Sequence, residues 1–306
     1  QRADGSTDAV TADVQYLVVE AGVYTEAEHG VTMEAATFSS NVTDASLRAS
    51  WMGQPRTYAN QYEKPVVVGQ VMSFEDSRFS AFWARGASPF DPPSRDELYV
   101  GKHVGQDPDT ARADETIGYI VFEGGSGSID GQEFLAGVGS DQVVGPPNVT
   151  TYPLAGLARA DIAILSSAGM DGADGAWPVL AGPTPLTTDG LDLFVDEDQL
   201  TDDERWHTTE QVAYLVFGQS QSQMAGPQLR TGLLANVSNT TWTEVVLDQP
   251  YRDMVVVASP NYSTADPPLV TRIQNASGNR FEVRVQRADG STDAVTADVQ
   301  YLVVEA

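Results

Sequence analysis

The apolar residues of this chain come in short runs rather than in helical periods. Runs of three to five residues are rich in Val, Ile, Tyr and Phe, and elsewhere apolar and polar residues alternate, as in 281–285. Turn-forming residues separate these runs, including Asp-Gly pairs at 4–5, 130–131, 171–172, 174–175 and 189–190. Short strands between regularly spaced turns predict an all-β fold of antiparallel sandwiches. A single helical turn is expected in the acidic stretch 196–204.

A tyrosine inside an apolar run marks a repeated strand. The motif occurs around Tyr16, Tyr119, Tyr214 and Tyr301, at separations of 103, 95 and 87 residues. Each of the last three follows an upstream apolar stretch (63–74, 158–169 and 251–262) and an intermediate one (96–102, 189–197 and 279–287). The pattern predicts three diverged β-sandwich domains, with boundaries at 25–126, 127–222 and 223–306.

The two ends of the chain are identical. Residues 1–21 recur without change as residues 286–306, so the sequence has a period of 285 residues. Packing tolerates many substitutions at solvent-facing strand positions, so this identity indicates a higher-order repeat. Residues 1–24 then contain only the closing strands of a domain begun in a preceding copy.

A two-stranded fragment is marginal in water, so this segment is expected to pair with another copy. Either the polypeptide is continuous, or separate subunits exchange strands by β-augmentation. Because residues 286–306 already complete the last domain, the redundancy favours a continuous chain. The expected assembly strands are Tyr16, Leu17, Val18 and Val19, and their copies Tyr301, Leu302, Val303 and Val304.

The third domain resembles a known family. A strand opened by Trp242 is followed by an apolar run at 254–257, a Phe-led strand at 279–285 and a closing strand at 301–304. This order is similar to that of the H-type lectin-like domain, a six-stranded antiparallel sandwich found in tandem in large microbial surface proteins. Tyr301 and Glu305 stand where that family usually has a Trp and a small residue. The resemblance implies the fold and the presentation of loops in oligomers, and no sugar-binding residue is carried over.

Charge and composition exclude several partners. The chain has 43 acidic and 17 basic residues, a formal net charge of −26, and no cysteine. Nucleic acids and anionic membranes attract clustered Lys and Arg, so neither is an expected partner. Without cysteine there are no disulfides, thiolate nucleophiles or thiolate metal sites. No apolar run approaches the roughly 20 residues that a membrane-spanning helix needs.

Asparagine is concentrated in glycosylation sequons. Six of the eight asparagines open an Asn-x-Ser/Thr sequence, and each lies in or beside a predicted turn, where a glycan is tolerated. The shared preference of Asn, Ser and Thr for turns also raises such a count. We expect N-glycosylation and an extracellular or cell-surface location. The candidate sites are Asn41, Asn148, Asn236, Asn239, Asn261 and Asn275.

Two acidic runs offer the oxygen ligands that calcium prefers. One contains Asp196, Asp198 and Asp202, the candidate metal ligands, and the other covers 171–175. In so acidic a protein such runs are usually solvated, so calcium is the only cofactor considered and otherwise none is expected.

The chain lacks the usual catalytic signatures. It has three histidines and contains no HExxH or GxSxG motif and no phosphate-binding loop, so no enzymatic activity is expected. Exact duplication favours a structural repeat unit of an extracellular filament or stalk, in which the partners are neighbouring copies and attached glycans. The alternative is a tandem-repeat adhesin that binds carbohydrate.

Overall fold

The computed structural model describes residues 12–46, 51–129, 131–218 and 230–302. The fold is all-β, with 51% strand and 2% helix, as the sequence predicts. The elements fall into three groups along the chain. The first group is β1 (Ala12–Glu20), β2 (Gly22–Tyr24), α1 (Glu26–His29), β3 (Met33–Ser40), β4 (Thr43–Asp44), β5 (Gln54–Arg56), β6 (Pro65–Val71), β7 (Ala81–Arg85), β8 (Leu98–His103) and β9 (Glu115–Glu123).

Two further groups of strands complete the fold. The middle group is β10 (Gly125–Ile129), β11 (Gln132–Val138), β12 (Thr150–Pro153), β13 (Ile162–Ala168), β14 (Trp177–Ala181), β15 (Gly190–Asp196) and β16 (Val212–Phe217). The last group is β17 (Arg230–Ser238), β18 (Thr243–Tyr251), β19 (Met254–Tyr262), β20 (Leu269–Arg287) and β21 (Thr296–Leu302).

The tyrosine-marked strands close each group in the same way. Strand β9 lies between β3 and β6, β16 between β11 and β13, and β21 between β17 and β19. The marker tyrosines Tyr119, Tyr214 and Tyr301 lie opposite Gly69, Leu165 and Ala258 respectively. The three groups therefore share one pairing scheme around their tyrosine-marked strands.

Three fully separate sandwiches are not confirmed, because neighbouring groups share sheets. Strand β7 pairs in parallel with β13, with Trp83 opposite Ser167, and the resulting sheet has eight strands. Strand β14 pairs in parallel with β19, with Leu180 opposite Asn261, in a sheet of seven strands. The remaining sheets are the four-stranded β2-β3-β9-β6 and the two-stranded β18-β20.

Hydrogen bonds join the three groups in a cycle. The Gly69 N–H donates to Ser166 Oγ at 3.0 Å, which links the first group to the second. The Leu165 N–H donates to Ser259 Oγ at 3.1 Å, which links the second to the third. The third returns to the first through Thr271, whose hydroxyl donates to the side-chain oxygen of Gln70 at 3.1 Å.

A shared apolar core explains why the central strands read as continuous apolar runs. Every residue of β6, β13 and β19 is buried, because these strands are covered on both faces. One hydrophobic cluster combines side chains from all three groups, among them Val68, Ile164 and Val257. Three further clusters lie mainly in one group each.

The acidic stretch after β15 does not form the expected helical turn. Residues 197–204 are irregular, since their carboxylates bond to the backbone and side chains of other segments instead of capping a local helix.

A buried ion pair connects the third group to the first. Arg272 and Glu115 are both 0% exposed, and Arg272 Nη2 lies 3.0 Å from Glu115 Oε1. Arg272 Nη1 also donates to the Arg78 carbonyl at 2.6 Å. Glu115 accepts the N–H groups of Glu75 and Asp76, both at 3.1 Å. The pair therefore fixes a loop of the first group against β20.

Replacing Arg272 with methionine should strongly destabilise the fold. Arg272→Met leaves the Glu115 carboxylate buried without its cation, and breaking such a pair costs about 3–5 kcal/mol. The measurement is urea unfolding followed by tryptophan fluorescence. Arg280→Met, in the exposed pair with Glu244, is the control and should cost at most about 1 kcal/mol. Equal unfolding midpoints for the two variants would show that the buried pair contributes little.

Candidate functional site: a strand slot between β17 and β19

Strands β17 and β19 form the two walls of a position for one strand, which we call the strand slot. Both duplicated strands, β1 and β21, pair antiparallel with both walls. They do so in the same register. Tyr16 and Tyr301 both lie opposite Gly232 of β17, while Asp13 and Asp298 both lie opposite Asn261 of β19.

The structure also pairs the two copies with each other in parallel, with Asp13 opposite Asp298, and we interpret them as alternative occupants of one position beside β19. A strand residue has two hydrogen-bonding edges. Asn261 faces Leu180 of β14 across one edge, so Asp13 and Asp298 must share the other. Sheet neighbours lie only about 4.8 Å apart, so the slot holds one strand at a time. The chain thus carries two copies of a strand and, among the residues described, one slot for it.

The C-terminal copy is anchored before it enters the slot. Asn239 Oδ1 accepts the Val295 N–H at 2.6 Å, and Asn239 Nδ2 donates to the Asp293 carbonyl at 2.7 Å. Further upstream, the Gln286 side chain donates to the Ser77 carbonyl at 2.5 Å. These contacts hold residues 286–295 on the path toward the slot.

The N-terminal copy is anchored where it leaves the slot. The Ala21 N–H donates to the Asp253 carbonyl at 2.8 Å, and the chain passes directly into β2 of the four-stranded sheet. The two copies therefore reach the same position from opposite ends of the chain.

The predicted assembly residues lie in this slot as far as they are described. Tyr16, Leu17, Val18 and Val19 belong to β1, and Tyr301 and Leu302 belong to β21. Val303 and Val304 lie outside the described residues.

The predicted metal ligands do not converge. Asp196 is bound by Arg205 through two bonds of 2.8 and 2.6 Å. Asp198 accepts the N–H groups of Gln106 and Leu200, and Asp202 accepts the Gln106 side chain at 3.3 Å. These three aspartates are not among the carboxylates that the structure brings together, and their role as metal ligands stays a prediction.

The two acidic runs nevertheless meet at other residues. Asp174 of the β13–β14 loop, with Glu197 and Glu204 of the β15–β16 connection, place carboxylate oxygens within 4.8 Å of one another. We call these three residues the acidic junction. The sequence analysis identified both acidic runs but did not select Glu197 and Glu204 as the residues that meet Asp174. The alternation of residues along a strand does not indicate which carboxylates face the β13–β14 loop.

A buried histidine connects the acidic junction to the loop beside it. His207 Nδ1 lies 2.8 Å from Glu197 Oε2, and its Nε2 lies 2.9 Å from Glu210 Oε1. Burial acts to lower the pKa of His207, but these two carboxylates outweigh it and raise the pKa to about 9. Glu210 also accepts the N–H groups of Asp171 and Gly172, which holds the loop in place.

The sequons differ in accessibility. Asn41, Asn148, Asn236 and Asn275 are exposed, whereas the side chain of Asn239 is half-buried and bonded to 293–295. Asn261 is 3% exposed inside β19. Asn261 lies beside a turn, since β19 ends at Tyr262, but its burial argues against glycosylation of the folded chain.

Comparisons with known proteins identify no relative: no family model, curated protein or solved structure matches the chain. The resemblance to the H-type lectin-like domain, the adhesin alternative and the expected lack of enzymatic activity stay predictions. Across the described residues, no helix has the length and apolar character needed to cross a membrane.

Proline substitutions should reveal whether the two copies are interchangeable. Val14 and Val299 both lie opposite Leu234, in a strand flanked on both edges, where proline removes a ladder hydrogen bond. Val14→Pro or Val299→Pro alone should cost only about RT ln 2, roughly 0.4 kcal/mol, because the other copy fills the slot. The double variant should lose several kcal/mol, measured by urea unfolding. A single variant as unstable as the double one would show that the copies are not equivalent.

Proposed function

We propose that this chain is the structural repeat unit of an extracellular, glycosylated protein filament or stalk. The observation that supports the proposal is the strand slot, for which the chain carries two identical strands. In an array with a period of 285 residues, each period contributes one slot and one strand. Each slot then holds one strand, and each period is connected to the next by that strand.

The contacts of the two copies give the array a direction. A strand anchored by residues 286–295 on one side and followed by β2 on the other joins the end of one period to the start of the next. Such a contact is heterologous, since different surfaces of the two neighbours meet, and heterologous contacts that do not close into rings produce open filaments. This argument holds for a continuous polypeptide and for separate subunits that exchange strands.

The three groups of strands suit a compact building block. We infer that they are diverged H-type lectin-like sandwiches arranged around the shared core instead of following one another along a line. The cyclic hydrogen bonds from Gly69, Leu165 and Thr271 support this arrangement. Each period would then add one body to the filament, and a compact chain of this length is roughly 50 Å across.

Exposed sequons support an extracellular location. Asn41, Asn148, Asn236 and Asn275 present their side chains to solvent. Glycans there would shield loops from proteases and keep sheet edges from pairing sideways. The net charge of −26 adds repulsion between adjacent filaments.

Electron microscopy of natively isolated material tests the filament. We expect unbranched fibres with an axial repeat of roughly 50 Å, one body per period. A denaturing gel of the same fibres separates the two routes of assembly. A band far longer than one period indicates a continuous chain, and a band of about one period indicates strand exchange. Closed rings or monodisperse monomers would contradict the proposal.

Mass spectrometry of the same material tests glycosylation. Hexose-sized increments are expected on peptides that contain Asn41, Asn148, Asn236 or Asn275, because these side chains are exposed. The peptide with Asn261 is an internal control and should be unmodified, because that side chain is buried in β19. An intact mass equal to that of the bare sequence would rule out glycosylation.

A further inference from the structure

Three carboxylates meet where two connections between strands come together. Oxygens of Asp174, Glu197 and Glu204 lie within 4.8 Å of one another. Glu197 is buried, Asp174 is half-buried and Glu204 is exposed, so the group extends from the interior to the surface. Like charges this close repel each other unless a cation lies between them.

A second observation at the same place concerns Glu197. Its side chain is almost wholly enclosed, and its Oε1 atom is buried without a hydrogen-bond partner, although its Oε2 lies 2.8 Å from His207 Nδ1. Buried carboxylate oxygens are normally hydrogen-bonded, and an unsatisfied charged oxygen is costly. Among the residues described, the Oε1 atom of Glu197 therefore has no partner.

His207 does not satisfy this oxygen. Its two ring nitrogens lie against Glu197 Oε2 and Glu210 Oε1, and neither is bonded to Glu197 Oε1. The histidine therefore holds one oxygen of the Glu197 carboxylate and leaves the other without a partner.

We infer that Asp174, Glu197 and Glu204 bind a calcium ion. A ligand set made only of carboxylate oxygens on irregular connections suits a hard cation with flexible coordination, and calcium accepts such sites more readily than magnesium does. The exposed Glu204 provides the side from which the ion enters. The orphaned Oε1 of Glu197 becomes its innermost ligand.

The ion would stabilise the fold by connecting two segments that are distant in sequence. It would join the β13–β14 loop, which carries Asp174, to the connection between β15 and β16. Asp174 Oδ1 also accepts the Ser46 hydroxyl at 3.4 Å, so the first group of strands is held at the same point. This site goes beyond the proposed function and does not depend on whether the chain forms filaments.

The test uses the full 306-residue chain, stripped of metals with a chelator and then titrated with calcium chloride. Isothermal titration calorimetry should show one saturable site, and calcium should raise the unfolding temperature by several degrees. Extracellular calcium modules have dissociation constants of about 0.1–1 mM, and we expect this range. Magnesium chloride at the same concentrations should produce a clearly smaller shift.

Two variants and a matched control make the result specific. Glu197→Gln and Glu204→Gln should each weaken calcium binding at least tenfold. Glu204 is exposed, so Glu204→Gln should keep the fold even if the buried substitution does not. Asp203→Asn removes one exposed charge from the same connection without touching the three ligands and should bind like the unmodified chain. Absence of saturable binding at millimolar calcium, or equal binding by Glu204→Gln and Asp203→Asn, would overturn the inference.

Discussion

The fold depends on the fact that an interior strand has only two edges. Strand β19 uses one edge for β14 and the other for the duplicated strand, so it joins two groups of strands and creates the slot at once. Its nine residues are all buried, which requires a neighbour on each side as well as cover on each face. Without a strand in the slot, the seven-stranded sheet would be divided between β17 and β19.

Strand positions were largely predictable because they follow from local apolar runs. The stretches 63–74, 158–169 and 251–262 contain β6, β13 and β19, and the tyrosine motifs mark β9, β16 and β21. The contacts that join the three groups of strands could not be predicted from the sequence. The parallel contacts of β7 with β13 and of β14 with β19 involve two residue pairs each. Because backbone groups make these contacts, no pattern of side chains along the sequence predicts them.

For the candidate sites too, the sequence indicates which residues are present but not which distant residues they contact in the fold. Composition drew attention to both acidic runs, but Asp196 is paired with Arg205 while Glu197, its neighbour in sequence, points to the acidic junction. The sequon at Asn261 predicts an accessible position in or beside a turn, whereas its side chain is buried in β19 with strands on both edges. The ion pair of Arg272 with Glu115 joins residues 157 positions apart, and the sequence around neither residue predicts it.

The position of the duplicated strand also determines how a linked array would carry mechanical load. Antiparallel hydrogen bonds lie perpendicular to their strands, and the strand in the slot has such bonds on both sides. Tension applied along this strand therefore loads both ladders in shear, so that many bonds must break together rather than one after another. A joint of this kind resists pulling along the chain far better than peeling from one end.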